Sequence, residues 1–411
     1  MVKVVEDIFG IATNPFTKQA QVIRRYTMTN TNRLSVAIIQ LGATIQSIQV
    51  PDAYHQLSDV VLGFDDVAGY TKYRNYHFGC TIGRVSDVVG NGEFIMDERR
   101  VIVSKNLGQK HQIDGGFVGF DQVIWDLEMK RPDGVTLRHV SPDGHEGYPG
   151  TLKVLLHFTI NDDNRFFIQM EATTNQTTPV NISNHIIFNL AGQSTGIKGI
   201  FDHQINIEAM ETMETSKGDG LPTGRFKNVN DSVYDIRLPV FMGDRVRQFE
   251  QKPVKGYDVC FALDKEFDSI RTRYVGRFLH PDSGRFMEIF SNQPCVRFTT
   301  GNCFPQEPLG EPPILGKRCT RYWQHCGFSL QLLNYPDAVN QPDFPRIFIN
   351  PASTISMKPS TIWRSGIVEM LCRSGGTESP GRRTTAKTKT RLRSGEKSPL
   401  GNQCVLWPLP M

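Results

Sequence analysis

The segment Asn181–Leu190, with the sequence NISNHIIFNL, places one titratable side chain, His185, among apolar residues. Its branched and aromatic residues are typical of a buried strand. Asn184 and Asn189 flank the imidazole, and such amides can fix its tautomer and orientation. An imidazole exchanges protons near neutral pH because its ordinary pKa is about 6.5. Two interpretations stay open: a proton-transfer residue, or a core histidine satisfied by a neighbouring amide.

Other polar side chains stand in turn-rich stretches elsewhere in the chain. Asp114 lies in the loop 113–116, IDGG, and Asp258 lies in 255–259, KGYDV, just ahead of an apolar run. Gln331 precedes a stretch rich in Pro, Asn and Asp. Taken one at a time, these stretches are more typical of ordinary turns than of a functional site.

The elements that must position these side chains are short strands. Apolar runs alternate with clusters of Gly, Pro, Asn and Asp, and examples are 34–41, 44–50, 151–160, 165–171, 204–207, 274–279 and 285–290. Many short strands with turn residues between them are typical of an antiparallel sandwich or barrel. Almost no window carries a helical apolar stripe, which disfavours a parallel α/β fold. We therefore predict an all-β fold, a large antiparallel β-sandwich.

The composition changes after Trp363. Segment 373–397 carries eight Lys or Arg residues and two Glu residues, a charge of +6, so the chain's net charge of +4 leaves −2 for the remainder. The segment is too poor in apolar residues to offset the entropy of ordering it. We expect one domain over 1–366 and a basic, disordered tail over 367–411.

Charge and hydropathy also limit the partners. The slightly acidic body argues against nucleic acid as a partner, and a solvated tail is favoured over one that binds a polyanion. No apolar run is long enough to cross a membrane, and Glu6 and Asp7 stand where a signal peptide needs its apolar core. The eight cysteines include no Cys-x-x-Cys pair and are typical of free thiols. We expect a cytoplasmic protein without a metal site, and the sequence specifies no oligomeric state.

A series of short segments, in chain order, carries a family resemblance. The segments are Asp59–Phe64, Thr81–Val85, Gly115–Gly116, Gly119–Asp121, Ser141–Gly144, Glu146–Gly150, Pro179–Asn181, Asn184–His185, Phe188–Gly192, Gln293–Pro294, Thr300–Asn302 and Tyr335–Pro342. Together they resemble the aldose 1-epimerases, the galactose mutarotase family, over residues 35–365. The resemblance implies a galactose mutarotase-like β-sandwich with an open cleft for a hexose such as galactose or glucose.

The resemblance also implies mutarotation, the interconversion of α and β anomers, without metal or organic cofactor. A base takes the proton of the anomeric hydroxyl while an acid protonates the ring oxygen, and the opened ring recloses on the other face. The family's acid corresponds to His185. The positions that the resemblance connects with sugar binding are Asp258, Asp114, Asn184 and Arg84.

Three positions depart from the family pattern. The family's general base, a Glu, corresponds to Gln331, and an amide cannot hold a proton at neutral pH. A sugar-contacting His is replaced by Asp114, and a sugar-contacting Arg by Val88. These changes favour a hexose-binding protein with impaired catalysis, a pseudoenzyme. The alternative is an active aldose 1-epimerase in which Asp114 or Asp258 replaces the base.

Overall fold

Strands dominate the part of the chain that the computed structural model describes, residues 1–249, 254–263, 271–352, 355–357 and 360–365. The predicted tail, 367–411, and the domain boundary at 366 lie outside the described residues. Within them, the α-helices are short: α1 (Val67–Lys72), α2 (Gly196–Phe201) and α3 (Met242–Arg247). No helix in the described ranges is long and apolar enough to span a membrane.

The strands in chain order are β1 (Lys3–Thr13), β2 (Ala20–Thr29), β3 (Ser35–Ile39), β4 (Thr44–Pro51), β5 (Leu57–Asp59), β6 (Thr81–Ile82), β7 (Val88–Val89), β8 (Glu93–Met96), β9 (Arg99–Ile102), β10 (Gln112–Ile113), β11 (Asp126–Arg131), β12 (Gly134–Ser141), β13 (Leu152–Ile160), β14 (Arg165–Thr174), β15 (Thr178–Pro179), β16 (Ser183–Asn184), β17 (Ile187–Phe188), β18 (Gln204–Ile207), β19 (Glu211–Thr215), β20 (Pro222–Asn228), β21 (Val240–Phe241), β22 (Asp258–Ala262), β23 (Arg273–His280), β24 (Arg285–Ser291), β25 (Cys295–Thr299), β26 (Ile314–Leu315), β27 (Arg321–Tyr322), β28 (Phe328–Leu333), β29 (Phe348–Ile349), β30 (Ile355–Met357) and β31 (Ser360–Ser365).

Three large antiparallel sheets organise the described residues. The first has the strand order β1-β2-β3-β4-β5. The second has the order β11-β12-β13-β14-β31-β24-β23-β18-β21, with β30 also paired to β14. The third has the order β17-β28-β25-β22-β19-β20. This arrangement confirms the predicted all-β antiparallel sandwich.

Alternation of side chains along the strands explains the layers. In β13, every second residue is buried, from Leu152 to Ile160. Those inward residues join one hydrophobic cluster with Ile45 of the first sheet and Phe298 of the third. Because a strand's side chains point alternately to its two faces, the opposite faces are left for solvent or for a ligand. Each large apolar side chain buried in this way contributes about 1.5–3 kcal/mol.

The segment Asn181–Leu190 is not one continuous strand, so that expectation was wrong. β16 pairs with β6, whereas β17 pairs with β28 of the third sheet. The chain therefore changes partners between Asn184 and Ile187, and His185 lies in the junction. The physical reason is that the two partner strands belong to different sheets, so no single straight strand can pair with both.

A buried ion pair holds the edge against which this segment packs. Lys317 is 3% exposed, and its Nζ lies 2.7 Å from Asp59 Oδ2 and 3.0 Å from the carbonyl of Val61. The neighbouring segment 60–62 pairs through its backbone with 187–189. Loss of either charge would leave the other buried without a partner, which is strongly destabilising.

We therefore expect Lys317→Met to lower the free energy of unfolding by about 3–5 kcal/mol, because the Asp59 carboxylate, 13% exposed, then loses its cationic partner. The matched control is Lys110→Met. Lys110 lies 3.4 Å from Asp219 with 56% of its side chain exposed, and it should contribute less than about 1 kcal/mol. Urea denaturation measures both, and equal losses would contradict the importance of the buried pair.

Candidate active site

The third sheet forms the floor of a polar cleft. Its outer face contributes Asp258, Arg297, Thr299, Ser329 and Gln331. Arg297 lies opposite Gln331 in the β25–β28 register, and Thr299 lies opposite both Ser329 and Asp258. Because side chains alternate along each strand, these five share one face while their neighbours enter the core.

Loops from other parts of the chain form the walls. They bring Tyr76, His77, Ile113, Asp114 and His185 to the same cleft, whose volume is about 190 Å³. Four of the six predicted site residues therefore meet here, namely His185, Gln331, Asp114 and Asp258. A larger cavity of about 820 Å³ lies on the other side of His77, against α1, and it lacks most of these polar groups.

His185 is held by backbone contacts. Its amide donates to the carbonyl of Cys80 at 2.9 Å, and its carbonyl accepts from Gly79 at 2.8 Å. Its Nδ1 lies 3.2 Å from the carbonyl of His77, which can only accept, so Nδ1 carries the proton and Nε2 keeps the lone pair. Burial, aided by the positive charge of His77, lowers the pKa of His185 to about 4. The ring is therefore neutral at pH 7.

Gln331 stands in the cleft with its amide anchored. It is 5% exposed, and its Nε2 donates to Ser183 Oγ at 2.7 Å. Ser183 Oγ in turn lies 2.8 Å from Ser86 Oγ. A carboxamide held in this way can accept a hydrogen bond from a sugar hydroxyl through Oε1, but it cannot take up the proton.

Arg297 links two carboxylates on the cleft floor. Its Nε and one terminal nitrogen donate to Asp258 Oδ1 at 3.1 and 2.9 Å, and the other terminal nitrogen donates to Asp87. Burial by itself lowers the pKa of Arg297, but the carboxylates of Asp258 and Asp87 raise it well above its ordinary value. Asp258 is therefore an ion-paired acceptor, which weakens it as a general base.

Asp114 and Asp121 enclose His77. Asp114 Oδ1 accepts from the amide of Asp87 at 2.9 Å, and its Oδ2 lies 3.7 Å from His77 Nε2. His77 Nδ1 lies 3.2 Å from Asp121 Oδ2. Burial lowers the pKa of His77, but the hydrogen bond to Asp121 and the two carboxylates raise it well above 6.5. His77 is therefore an imidazolium facing the cleft.

Arg84 and Asn184 lie outside the cleft, contrary to their expected role in sugar binding. Arg84 is 2% exposed and donates to carbonyls of the turn 141–150 and to Thr178 Oγ1 at 3.1 Å. Asn184 donates from Nδ2 to Thr81 Oγ1 at 2.9 Å. The terminal nitrogens of Arg84 and the amide nitrogen of Asn184 therefore bind protein partners behind the cleft, whereas Arg84 Nε and Asn184 Oδ1 are buried without a hydrogen-bond partner among the described residues.

Two cleft residues, Arg297 and His77, were not among the predicted site residues. Arg297 supplies a guanidinium near Val88, and His77 supplies an imidazole beside Asp114. Val88 itself is 4% exposed and packed against β10. Only the register between distant strands brings Arg297 here, whereas the nearness of His77 to the motif at 81–85 was an available signal.

Among the described residues, one group of three possible metal ligands lies beside the cleft. The donor atoms of His77, Cys80 and Asp121 lie within 4.8 Å of one another. His77 Nδ1 is already paired with Asp121, and burial raises the pKa of the Cys80 thiol to about 11, so the sulfur keeps its proton. Because His77 Nδ1 and Asp121 Oδ2 are paired with each other, we interpret the group as an ion pair beside a thiol.

Known proteins resemble the chain over most of its length. Residues 24–360 match the family described as aldose 1-epimerase. Galactose mutarotase from Bos taurus is 37% identical over 351 residues, covering 85% of this chain and 96% of that protein. Aldose 1-epimerase from Escherichia coli K12 is 27% identical over 347 residues, covering 84% and 96%.

Solved structures share the fold. An aldose epimerase homologue from C. elegans superposes with a TM-score of 0.73 at 23% identity and covers 82% of this chain and 98% of its own. Galactose 1-epimerase from Lactobacillus acidophilus gives a TM-score of 0.72 at 20% identity, covering 89% and 100%. The matched segments, the sandwich and the sequence identity agree, and the chain belongs to the aldose 1-epimerase family, which includes the galactose mutarotases.

Proposed function

We propose that the cleft binds an aldohexose such as galactose or glucose, and that anomer interconversion by the family's acid–base route is impaired. The observation that supports the second part is the amide of Gln331, which lines the cleft with its nitrogen held by Ser183. The family resemblance assigns the general base to this position. Loss of a positioned base reduces a rate by about 10²–10⁴. The chemistry needs neither metal nor organic cofactor, and a cytoplasmic location stays a prediction.

The polar groups of the cleft support sugar binding. Hexose hydroxyls both donate and accept, so a sugar site needs both kinds of partner. Arg297 offers N–H donors, while Asp258 and Asp114 offer carboxylate acceptors. Ser329 Oγ is buried and has no hydrogen-bond partner among the described residues. Phe304 adds an apolar surface at the wall.

The electrostatics of His185 support the impairment. An acid must hold a proton before it can give one, and the pKa of His185 lies near 4. Above that pH the ring is neutral, because burial and the cationic His77 disfavour a second positive charge. His185 is therefore poorly suited to the acid role that the resemblance implies at neutral pH.

A second candidate is an active aldose 1-epimerase in which another carboxylate replaces the base. Asp114 is favoured over Asp258 by one observation: Asp258 is hydrogen-bonded to its cation, Arg297, at 2.9 Å, whereas Asp114 Oδ2 lies 3.7 Å from its cation, His77, which is a looser ion pair. A carboxylate with one oxygen in the cleft has the geometry to accept a proton from a bound hydroxyl.

The first prediction concerns binding. We expect saturation-transfer NMR to show contact between the protein and galactose, and Asp258→Asn to weaken the affinity about 10-fold, since a hydrogen bond to a charged group contributes about 1.5–3 kcal/mol. Asp126→Asn, on a side chain that is 71% exposed in β11, is the control. Absence of signal from galactose with the wild-type protein would refute sugar binding.

The second prediction concerns the base. Gln331→Glu should raise kcat/KM for mutarotation about 10-fold or more, because the new carboxylate can hold a proton and its charge also raises the pKa of His185. Polarimetry of freshly dissolved α-D-galactose measures the rate above buffer. Gln21→Glu on the exposed part of β2 is the control, and an unchanged rate in Gln331→Glu would argue against a missing base.

The third prediction tests the second candidate. If Asp114 is the base, Asp114→Asn abolishes turnover at every pH, since an amide cannot hold the proton. Asp97→Asn is a matched control, because Asp97 is exposed and both residues have positive φ, 47° and 51°. Unchanged polarimetric rates in Asp114→Asn would exclude this carboxylate as the base.

A further inference from the structure

Two imidazoles from distant parts of the chain meet in the cleft. The ring centroids of His77 and His185 are 6.2 Å apart, and the ring planes are perpendicular. Both side chains line the same cavity as Gln331. His77 also orients its neighbour directly, because its carbonyl accepts the Nδ1–H of His185.

The partners of the two rings assign opposite proton states. Both nitrogens of His77 face carboxylates, Nδ1 towards Asp121 at 3.2 Å and Nε2 towards Asp114 at 3.7 Å. Asp121 can only accept the Nδ1 proton, and the two negative charges beside the ring favour its cationic form, so Nε2 carries a proton as well. His185 has a carbonyl on Nδ1 and the cationic ring beside it, so it stays neutral with its lone pair on Nε2.

The separation between His77 Nε2 and Asp114 Oδ2 matters for this assignment. At 3.7 Å it exceeds the usual length of an N–H···O hydrogen bond. Nδ1 is closer to Asp121, at 3.2 Å, so the ring is anchored at that end. The Nε2–H at the other end is therefore available to a ligand oxygen that enters the cleft.

We propose that His77 is the general acid and His185 the general base of the mutarotation in this cleft. The proposal reverses the role that the family resemblance implies for His185 and adds a catalytic residue, His77. It rests on the proposed function, because it requires an aldohexose bound between the two rings. It also gives the protein a proton-transfer route that does not use residue 331.

The steps balance. His185 Nε2 takes the proton of the anomeric hydroxyl, whose oxygen forms the aldehyde C=O as the bond between C1 and the ring oxygen breaks. The ring oxygen takes the electron pair of that bond and the Nε2 proton of His77. After rotation about C1–C2, the new hydroxyl attacks the other face of C1 and returns its proton to His77. The former aldehyde oxygen regains its proton from His185, and both rings return to their starting states.

The positions of the reacting oxygens fit two adjacent imidazoles. The anomeric oxygen and the ring oxygen are bonded to the same carbon, so an acid and a base must approach from neighbouring directions within about 2.6–3.2 Å. Two rings with centroids 6.2 Å apart and perpendicular planes face one small region of the cleft. The amide of Gln331 lies on the floor, where it can bind a hydroxyl.

The first arm of the test is polarimetry with α-D-galactose, with the spontaneous rate subtracted at each pH. His77→Asn should lower kcat/KM at least 100-fold while galactose still binds by saturation-transfer NMR. The matched control is His55→Asn, because His55 is exposed and both histidines have positive φ, 51° and 64°, which Asn tolerates. Retained activity in a folded His77→Asn protein would overturn the proposal.

The second arm is the pH profile of kcat/KM, which reports the free enzyme's acid and base. A base with a pKa near 4 and an acid with a raised pKa predict a rate that increases through pH 4 and decreases only above 6.5. A rate that falls as pH rises through 4 would restore His185 as the acid and overturn the proposal. The charged and titratable groups facing the two rings are Asp114, Asp121, Cys80, Cys303 and Arg297.

A second variant decides the matter if His77→Asn does not fold. Asp121→Asn removes the carboxylate that keeps His77 protonated, so the descending limb should move to lower pH while turnover survives at acidic pH. If the descending limb of the pH profile stays at the same pH in Asp121→Asn, the proposal is overturned. Asp114→Asn should shift the same limb, whereas a base at Asp114 would be lost at every pH.

Failure of sugar binding and failure of the His77–His185 pair give different experimental results. If galactose does not bind, the proposed function fails and the acid–base pair fails with it. If galactose binds but the wild-type protein does not accelerate mutarotation, sugar binding stands and the pair is refuted. Acceleration of mutarotation that disappears in His77→Asn and persists in His55→Asn supports both sugar binding and the His77–His185 pair.

Discussion

Backbone pairing between residues 79–80 and His185 fixes the chemistry of the cleft. The amide of Gly79 donates to the carbonyl of His185 at 2.8 Å, and the amide of His185 donates to the carbonyl of Cys80 at 2.9 Å. Gly79 has a φ of +69°, and a Cβ there would lie 2.3 Å from the carbonyl oxygen of Ile45, so only glycine fits. Two imidazoles far apart in sequence become neighbours through main-chain contacts.

The charges around these rings form a coupled set. A buried carboxylate is costly unless a cation or several donors accompany it. Asp87 is 6% exposed and pairs with Arg297, while Asp114 faces His77. Asp87 and Asp114 are therefore each paired with a cationic side chain from another part of the chain. The cleft retains a guanidinium and a second imidazole, although neither comes from the positions that the family resemblance indicated.

The sequence predicted the fold well because alternating apolar runs and turn residues are local signals. Four of the predicted site residues, Asp114, His185, Asp258 and Gln331, line one cleft, whereas Arg84 and Asn184 do not. The sequence could not identify Arg297, because only the register of β25 against β28 brings that side chain beside Gln331. The prediction of one continuous strand over 181–190 was wrong for a similar reason, because a change of pairing partner does not alter the local hydropathy pattern.

The amide of Gln331 bears on the protonation state of His185 in the same cleft. A carboxylate there would add a negative charge beside the neutral ring and raise its pKa, which favours the acid role. With the neutral Gln331 in the cleft, burial and the positive charge of His77 lower the pKa of His185 to about 4, although Asp114 acts in the opposite direction. A neutral amide at 331 therefore leaves His185 in the protonation state that a base requires. The proposed impairment of the family's route and the proposed imidazole pair thus both rest on one neutral side chain.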